Sequence, residues 1–419
     1  MQSWAKCTHA AAAVMVLAAV TLVAGPAAAQ SDDNWAKAFG QTYASNDVSD
    51  RQLIKEWEAN PEKGFPTIGR NNIWPMKAAI IRYTAIVAKG GWKQLPDVKL
   101  EQGSSHAAVA ILRERLALSG ELEAGVAGGF DYDVFKAVRR YQAANGLAPT
   151  GVVDKATIAA MNVPAASRLK QLKLNLTRLE EYAKAPGKYV LVNIPAAQIE
   201  AVEDGRVVSR HAGVVGKIDR QTPILKSAIQ ELNFNAVWHL PPTVIEKDLI
   251  PKGQEMERRG QSVLVKFKID AYGGDGRKLD PAKVKWSGTG VKGLVYRQQP
   301  GPENPLGFVK MNFPNAHSVY MHDTPGHSLF GRSFRAASSG CVRVNGIEHL
   351  AAWIVSEQGW RPEHVQRMRE SGERRDVQLN RPVTLYFAYI TAWATQDGAV
   401  HFRRDIYQKD GIGAQAAAY

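Results

Sequence analysis

The 419-residue chain is predicted to be an α+β protein of several domains, in which helical units precede a mainly-β domain. Two observations support this prediction. Apolar residues recur at helical spacing through much of the first 185 residues, whereas β-branched residues alternate with polar ones farther along. The length suits two or three domains of ordinary size. The hydrophobic fraction of 45% and charged fraction of 22% argue against a disordered or polytopic membrane protein.

The amino terminus predicts export. Lys6 is the only charge before an uncharged run, mostly Ala, Val and Leu, from Ala10 to Ala24, and residues 27–29 are the small alanines that cleavage requires. This run is shorter than the roughly 20 apolar residues that span a bilayer. We therefore expect residues 1–29 to be a secretory signal peptide, with an uncleaved membrane anchor as the alternative.

Charge and cysteine content narrow the function classes. The 53 Lys and Arg residues exceed the 40 Asp and Glu residues by 13, which favours acidic partners, although export argues against nucleic acid. The two cysteines, Cys7 and Cys341, exclude a disulfide-stapled scaffold and a four-cysteine zinc site. Signal cleavage would leave Cys341 alone in an oxidising compartment, either as a buried inert residue or as a thiol retained for chemistry.

Helical patterns dominate the regions on either side of a central module. Residues 30–103 are expected to be a helical scaffold region, in which apolar residues recur at helical spacing between Trp74 and Lys89. Residues 164–185 are charged and amphipathic, which predicts a linker helix.

Residues 104–163 predict a compact unit of three helices. The first helix is expected over Ser105–Leu118 because its apolar residues share one face. Asp131 or Asp133 caps the second helix, and Asp154 caps the third.

The rest of the chain predicts strands. Asp204-Gly205 is typical of a hairpin turn between two alternating segments. Residues 186–375 are expected to form the main β domain, and residues 376–419 supply strands that complete it. Residues 244–310 are rich in Gly, Pro and charge, which indicates an inserted lid or small insertion.

The segment from Tyr320 to Val344 contains the residue types of a thiol nucleophile. His322 precedes Cys341 by 19 residues. A thiol is only slightly ionised at neutral pH, so it needs a base, and imidazole is the usual one. Asp323 adjoins His322 and could hold it, although neighbours on a strand point to opposite faces. A buried structural cysteine is the alternative.

The residues around the thiol favour the same chemistry. Gly340 leaves the backbone open, so the amides of Gly340 and Cys341 could donate to an oxyanion. Arg343 shares a face with Cys341 if the chain is extended, where it could bind a carboxylate through two hydrogen bonds. Residues 345–348, Asn-Gly-Ile-Glu, predict a capping box that opens the next helix.

The neighbouring histidines and Trp238 are less informative. His317 and His327 flank His322 at five-residue intervals, a spacing that brings no two side chains together on a helix or a strand. We therefore expect no metal site. Trp238 precedes a Pro-Pro turn near the expected cleft and is either a core residue or a wall of the substrate site.

Two sets of segments resemble known families. "MHDT" and "SSGCVRV", around His322 and Cys341, resemble the signature of L,D-transpeptidases with a YkuD-type catalytic domain. "AVAILRERLALSG", "FDYDVFKAVRRYQAANGL" and "TGVVDKATIAAM" resemble the three-helix peptidoglycan-binding module. "YVLVNIPAAQIEAVEDGRVV" and "NFNAVWHLPPTVIEKDLIPK" resemble the large, multidomain, periplasmic branch of the transpeptidases. Most of the family has His where this chain has Ser339, but Ser is usual in this branch.

The resemblance implies a fold and a reaction. The catalytic domain would be β-sandwich-like, with residues 244–310 capping its active site. Cys341 would attack the carbonyl at the L-centre of diaminopimelate in a tetrapeptide stem and release D-alanine. The thioester would then pass to the amine of a second diaminopimelate, which gives a 3→3 cross-link. His322 would act as base and then as acid. No cofactor is needed, and carbapenems would acylate the same thiol.

The resemblance also implies supporting residues, partners and a location. Asp323 and the Tyr320 hydroxyl would orient His322, and amides near Gly340 would stabilise the oxyanion. The partners would be peptidoglycan stem peptides and glycan in the periplasm, with the amine of a lipoprotein as an alternative acceptor. Expected substrate contacts are Ser339, Arg343, Tyr320 and Trp238.

Two other functions stay open on these grounds. An L,D-carboxypeptidase or a cell-wall cysteine peptidase would resolve the thioester with water, although the small wall peptidases place Cys before His in the chain. A non-catalytic peptidoglycan-binding protein would leave Cys341 unreactive. Labelling of the thiol in the folded state separates these alternatives.

Overall fold

The computed structural model describes residues 64–125, 128–332 and 334–411. The predicted signal peptide or anchor, and residues 30–63 of the predicted scaffold region, lie outside them. Within the described ranges no helix has the length and apolar character needed to cross a membrane. All described residues belong to one compact unit.

Helices occupy the first part of the described chain and two later regions. The first of them confirms the helix expected between Trp74 and Lys89. The helices are α1 (Ile73–Ala88), α2 (Ala108–Ser119), α3 (Tyr132–Ala144), α4 (Lys155–Met161), α5 (Ala165–Glu180), α6 (Ile250–Glu257), α7 (Val263–Lys266), α8 (Ile347–Val355) and α9 (Pro362–Ser371).

Strands follow from residue 188 onward. Short strands alternate with loops, and one long strand, β12, comes late in the chain. The strands are β1 (Lys188–Asn193), β2 (Gln198–Glu203), β3 (Arg206–Gly216), β4 (Leu225–Phe234), β5 (Trp238–His239), β6 (Ile269–Tyr272), β7 (Val295–Gln298), β8 (Val309–Asn312), β9 (Met321–His322), β10 (Ala336–Ser338), β11 (Val342–Val344), β12 (Arg375–Ala388), β13 (Ala392–Ala394) and β14 (Val400–Phe402).

The main sheet closes on itself. Its nine strands run in the order β10-β3-β11-β9-β8-β4-β12-β1-β2, and β2 also pairs with β3, so all of them except β10 form a ring. The expected sandwich-like arrangement is therefore wrong, and the core is barrel-like. The hairpin between β2 and β3 turns at Asp204 and Gly205, both with positive φ, as the sequence predicts. β12 lies between β4 and β1 in the ring.

The three-helix module has its own apolar core, formed by residues of α2, α3 and α4. Asp131, rather than Asp133, caps α3 by accepting a hydrogen bond from the Val134 amide at 2.9 Å. Asp154 caps α4 through the Thr157 amide at 2.8 Å. Helix α2 begins three residues later than expected, and His106 Nδ1 accepts from the backbone amide of Ala108 at 3.0 Å.

Helix α5, the expected linker, packs tightly against the carboxyl-terminal segment. Gln171 Nε2 donates to the carbonyl of Thr391 at 3.1 Å, and Asn175 Nδ2 donates to the Thr391 hydroxyl at 2.7 Å. Arg178 forms an ion pair with the buried Asp410 at 2.7 Å. These contacts make α5 part of the domain that follows it.

The inserted region folds around a core separate from that of the ring. It contains a helical turn (Pro242–Val244), a π-helical segment (Ile245–Leu249), α6, α7 and the small sheet β5-β7-β6. Its buried residues include Leu249, Phe267 and Trp286. Trp238 belongs to the same core. We call this region the insertion.

Candidate active site

The ring brings Cys341 beside Tyr320, whose ring in turn contacts His322. Strands β9 and β11 are parallel neighbours, in which Arg343 is the register partner of His322. Tyr320 immediately precedes β9, and Cys341 immediately precedes β11. The Val342 amide donates to the carbonyl of Tyr320 at 3.0 Å. Pairing of these two short strands thus joins residues that are 21 positions apart.

Ser338 and Thr222 brace the loop formed by residues 338–341, which we call the Cys341 loop. The Ser338 hydroxyl donates to the Cys341 carbonyl at 2.6 Å and accepts from the Gly340 amide at 3.2 Å. The Thr222 hydroxyl donates to the Gly340 carbonyl at 2.8 Å. Gly340 has φ +113°, a conformation that favours glycine. Because its amide already binds Ser338, the Cys341 amide is the better of the two predicted oxyanion donors.

The Cys341 thiol is partly exposed and contacts Tyr320. The Tyr320 hydroxyl and backbone both hydrogen-bond to Cys341. Burial raises the pKa of the thiol, and these hydrogen bonds, together with the positive charges of Lys310 and Arg343, oppose that rise. The resting thiol is therefore protonated at neutral pH.

Trp238 and Lys310 position the Tyr320 ring. Trp238 Nε1 donates to the Tyr320 hydroxyl at 2.9 Å, so this buried core residue also supports the site. The Lys310 ammonium lies 4.5 Å from the centre of the Tyr320 ring. Lys310 is the register partner of His322 on β8, and burial lowers its pKa. Tyr320 contacts the thiol, and its ring also packs edge-on against His322, with 5.7 Å between the ring centres.

His322 is buried and neutral. Its Nδ1 lies 2.5 Å from the carbonyl oxygen of Asp323, and the backbone of Pro305 also hydrogen-bonds to the ring. Burial, followed by the positive charges of Arg343 and Lys310, lowers the pKa of His322 to about 3.

The carboxylate of Asp323 points away from His322. Asp323 Oδ2 accepts from the Phe308 amide at 3.0 Å. The expectation that the Asp323 side chain orients His322 is therefore wrong, because adjacent side chains of a strand project from opposite faces. The main-chain carbonyl of Asp323 makes the contact instead.

Arg343 is a buried cation beside the thiol. Its side chain is 5% exposed, and among the described residues its Nε and Nη1 atoms have no hydrogen-bond partner. Burial lowers its pKa to about 10, so it stays charged at neutral pH. A buried guanidinium in this state suits an anion brought by a ligand, such as a carboxylate.

Sequence patterns missed four residues of this site. Ser338, Thr222 and Lys310 are described above, and the fourth, Arg220, donates from Nη1 to the Ser339 hydroxyl at 2.8 Å. Lys310 could have been identified from the sequence, because it lies on a strand that leads into the site. Within the described residues no three His, Cys, Asp or Glu side chains are grouped as metal ligands.

Two parts of the chain match models of known protein families. Residues 187–375 match the family model of the YkuD L,D-transpeptidase catalytic domain, and residues 105–161 match one described as "Putative peptidoglycan binding domain". A Haemophilus influenzae protein named "Putative L,D-transpeptidase" is 30% identical over 223 residues, which are 53% of this chain and 44% of that protein. The chain thus matches less than half of that relative.

Solved structures give weaker likenesses. The L,D-transpeptidase (Yku) of Stackebrandtia nassauensis is 13% identical, with a TM-score of 0.26 over 70% of this chain and 96% of that one. L,D-transpeptidase 3 of Mycobacterium tuberculosis, in complex with a faropenem-derived adduct, is 10% identical, with a TM-score of 0.24 over 48% and 60%. Residues 187–375 are thus similar to the YkuD L,D-transpeptidase catalytic domain, and the module before them is similar to the peptidoglycan-binding type.

Proposed function

We propose that this protein is a peptidoglycan L,D-transpeptidase in which Cys341 is the nucleophile and His322 the base. The observation that supports the proposal is the pairing of β9 with β11 within the matched domain: Arg343 lies opposite His322, and Tyr320 contacts both Cys341 and the His322 ring. The chain would be exported and act on the wall in the periplasm.

The first step is acylation of Cys341. Its Sγ attacks the carbonyl carbon at the L-centre of diaminopimelate while its proton passes to His322, and the carbonyl electrons move to the oxygen. The Cys341 amide donates to that oxyanion. Collapse breaks the C–N bond, the amine of D-alanine takes the proton from the imidazolium, and a thioester remains.

Main-chain carbonyls make His322 suitable for this proton transfer. The carbonyls of Asp323 and Pro305 both favour the charged ring, and thereby stabilise the imidazolium that forms transiently. With Nδ1 donating to Asp323, the thiol proton would pass to Nε2, which would have to give up any contact with the Pro305 carbonyl. The Tyr320 hydroxyl stabilises the thiolate on the other side of the reaction.

Substrate binding strengthens the base. A stem-peptide carboxylate bound by Arg343 would offset the positive charge that lowers the pKa of His322. The pKa of the imidazole would then rise only when a donor peptide is present. This coupling protects the thiol from ionisation in the empty site.

The second step transfers the acyl group to an amine. The side-chain amine of a second diaminopimelate attacks the thioester and gives its proton to His322. The C–S bond breaks, Cys341 leaves as the thiolate and regains the proton from His322, and a 3→3 cross-link forms. Water in place of the amine would give L,D-carboxypeptidase activity, and a lipoprotein amine would attach that protein to the wall. Trp238 acts indirectly, through Tyr320, and the Ser339 hydroxyl accepts from Arg220.

The test is acylation and product analysis. We expect imipenem to add one equivalent of mass to the wild-type protein and none to Cys341→Ala, and His322→Gln to react far more slowly. With disaccharide-tetrapeptide, mass spectrometry should detect a cross-linked dimer. Release of tripeptide alone would indicate a carboxypeptidase. A folded, reduced protein that forms no adduct would leave wall binding as the better account.

A further inference from the structure

Arg220 connects the insertion to the Cys341 loop. It lies on the loop between β3 and β4, and its Nη1 atom donates to the Ser339 hydroxyl at 2.8 Å. The same guanidinium donates to both carboxylate oxygens of Asp248, at 2.6 and 3.2 Å. The side chains of Arg220 and Asp248 are only 10% and 9% exposed. One buried cation is therefore shared by three segments that are distant in sequence.

The backbone that carries Arg220 is fixed in place. The Arg220 amide donates to the Lys217 carbonyl at 3.0 Å, and the Gly216 amide donates to the Thr222 hydroxyl at 2.8 Å. The Tyr407 hydroxyl donates to the Gly216 carbonyl at 2.6 Å. A Cβ on Gly216 would come within 2.1 Å of the Arg220 carbonyl oxygen, so this tight return of the chain requires glycine.

Asp248 is anchored equally well on the other side. It belongs to the π-helical segment Ile245–Leu249, whose apolar residues lie in the core of the insertion. A π-helical turn is an uncommon element that occurs frequently at functional sites. The position of the carboxylate is thus set by the packing of the insertion.

We propose that Arg220 is a positioning residue for the transfer reaction: held by Asp248, it fixes Ser339 and thereby the orientation of the adjoining Cys341 loop. The proposal rests on the proposed role of Cys341 as nucleophile. Arg220 does not contact the thiol. It acts through Ser339, two residues before Cys341, while Thr222 on the same loop holds Gly340.

Lysine cannot replace Arg220 in this role, because an ammonium does not present two parallel donors to Asp248 and a third contact to Ser339. Small displacements of a nucleophile are costly, up to about 100-fold in rate for about 1 Å. We expect Arg220→Lys to lower the limiting rate of acylation by imipenem about 10-fold or more. Ser339→Ala, which leaves the ion pair intact, should lower it about 5-fold.

The test compares these two variants and their combination. If Arg220 acts through Ser339, the double variant reacts no more slowly than Arg220→Lys alone, since both changes remove one contact. The pH midpoint of Cys341 alkylation should stay unchanged in all three. Glu255→Gln is the matched control, because it removes the ion pairs of Glu255 with Lys252 and Arg259 on the exposed face of the insertion.

Several outcomes would overturn the proposal. Wild-type acylation rates in both single variants would do so, as would effects that multiply in the double variant. A lower melting temperature with an unchanged acylation rate of the folded protein would indicate a purely structural role. A different result would contradict the proposed function itself: imipenem would then form no adduct on either the wild-type protein or Glu255→Gln.

Discussion

Replacing Tyr320 by Phe should expose the contribution of one hydroxyl to the reactivity of Cys341. The hydroxyl hydrogen-bonds to the thiol and accepts from Trp238 Nε1 at 2.9 Å. Because it lowers the pKa of Cys341 by favouring the thiolate, its removal must raise that pKa. The ring and its packing stay in place, so the variant should fold.

The magnitude follows from the strength of a hydrogen bond to a charged group. Such a bond contributes about 1.5–3 kcal/mol, which corresponds to a rise of about 1 to 2 in the pKa of Cys341. At a fixed pH below that value, alkylation by iodoacetamide and acylation by imipenem should slow about 10- to 100-fold.

Trp238→Phe provides the control. It removes the donor to the Tyr320 hydroxyl but keeps the bond to the thiol, so only a cooperative strengthening of roughly 10–30% is lost. Rates of iodoacetamide alkylation across pH 6–10, followed by intact mass, measure both variants. The reasoning is refuted if Tyr320→Phe keeps the wild-type pH midpoint, or if Trp238→Phe shifts it as far.

Three further predictions concern backbone strain, charge and acid stability. Gly340→Ala, at φ +113°, should lose about 1–3 kcal/mol of unfolding free energy in urea titrations; unchanged stability would contradict the strain argument. Arg343→Gln should raise the pKa of His322 from about 3, observable by NMR, and raise KM for tetrapeptide about 10-fold; an unmoved imidazole resonance would exclude the electrostatic coupling. His211 is buried and neutral, and burial lowers its pKa to about 4. Between pH 6.5 and 4 the unfolded chain therefore binds more protons than the folded protein, and the free energy of unfolding decreases as the pH is lowered. The decrease in unfolding free energy from pH 7.5 to pH 4.5 should be about 2–3 kcal/mol smaller in His211→Gln than in the wild type.

Local patterns in the sequence predict local structure well in this chain. The helix cap at Asp154 and the turn at Asp204-Gly205 depend on neighbours within a few residues, and both form as predicted. The capping box at residues 345–348 does not form: Gly346 has φ +59°, no side chain caps α8, and Glu348 pairs with Arg369 at 3.2 Å. The Glu348 carboxylate thus forms a tertiary ion pair instead of the local hydrogen bond that was predicted.

The features that could not be predicted from the sequence depend on contacts between distant segments. His322 and Cys341 could be paired because their chemistry is distinctive, whereas Arg220 meets Ser339 from 119 residues away and resembles any surface arginine in the sequence. Closure of the sheet between β2 and β3 depends on registers that no local pattern encodes. The contact of the Asp323 carbonyl with His322 could have been predicted, because strand geometry turns the Asp323 side chain away from His322.

The central position of β12 governs how this protein can fold and be shortened. Residues 375–388 lie between β4 and β1, although about 190 residues of chain separate β1 from β12 along the sequence. Closure of the ring therefore has a large cost in loop entropy and should be slow. The ring cannot close until the chain up to residue 388 has been synthesised, so the domain stays open until then. A fragment cut at residue 375, where the match to the catalytic family ends, would expose two unpaired strand edges and aggregate.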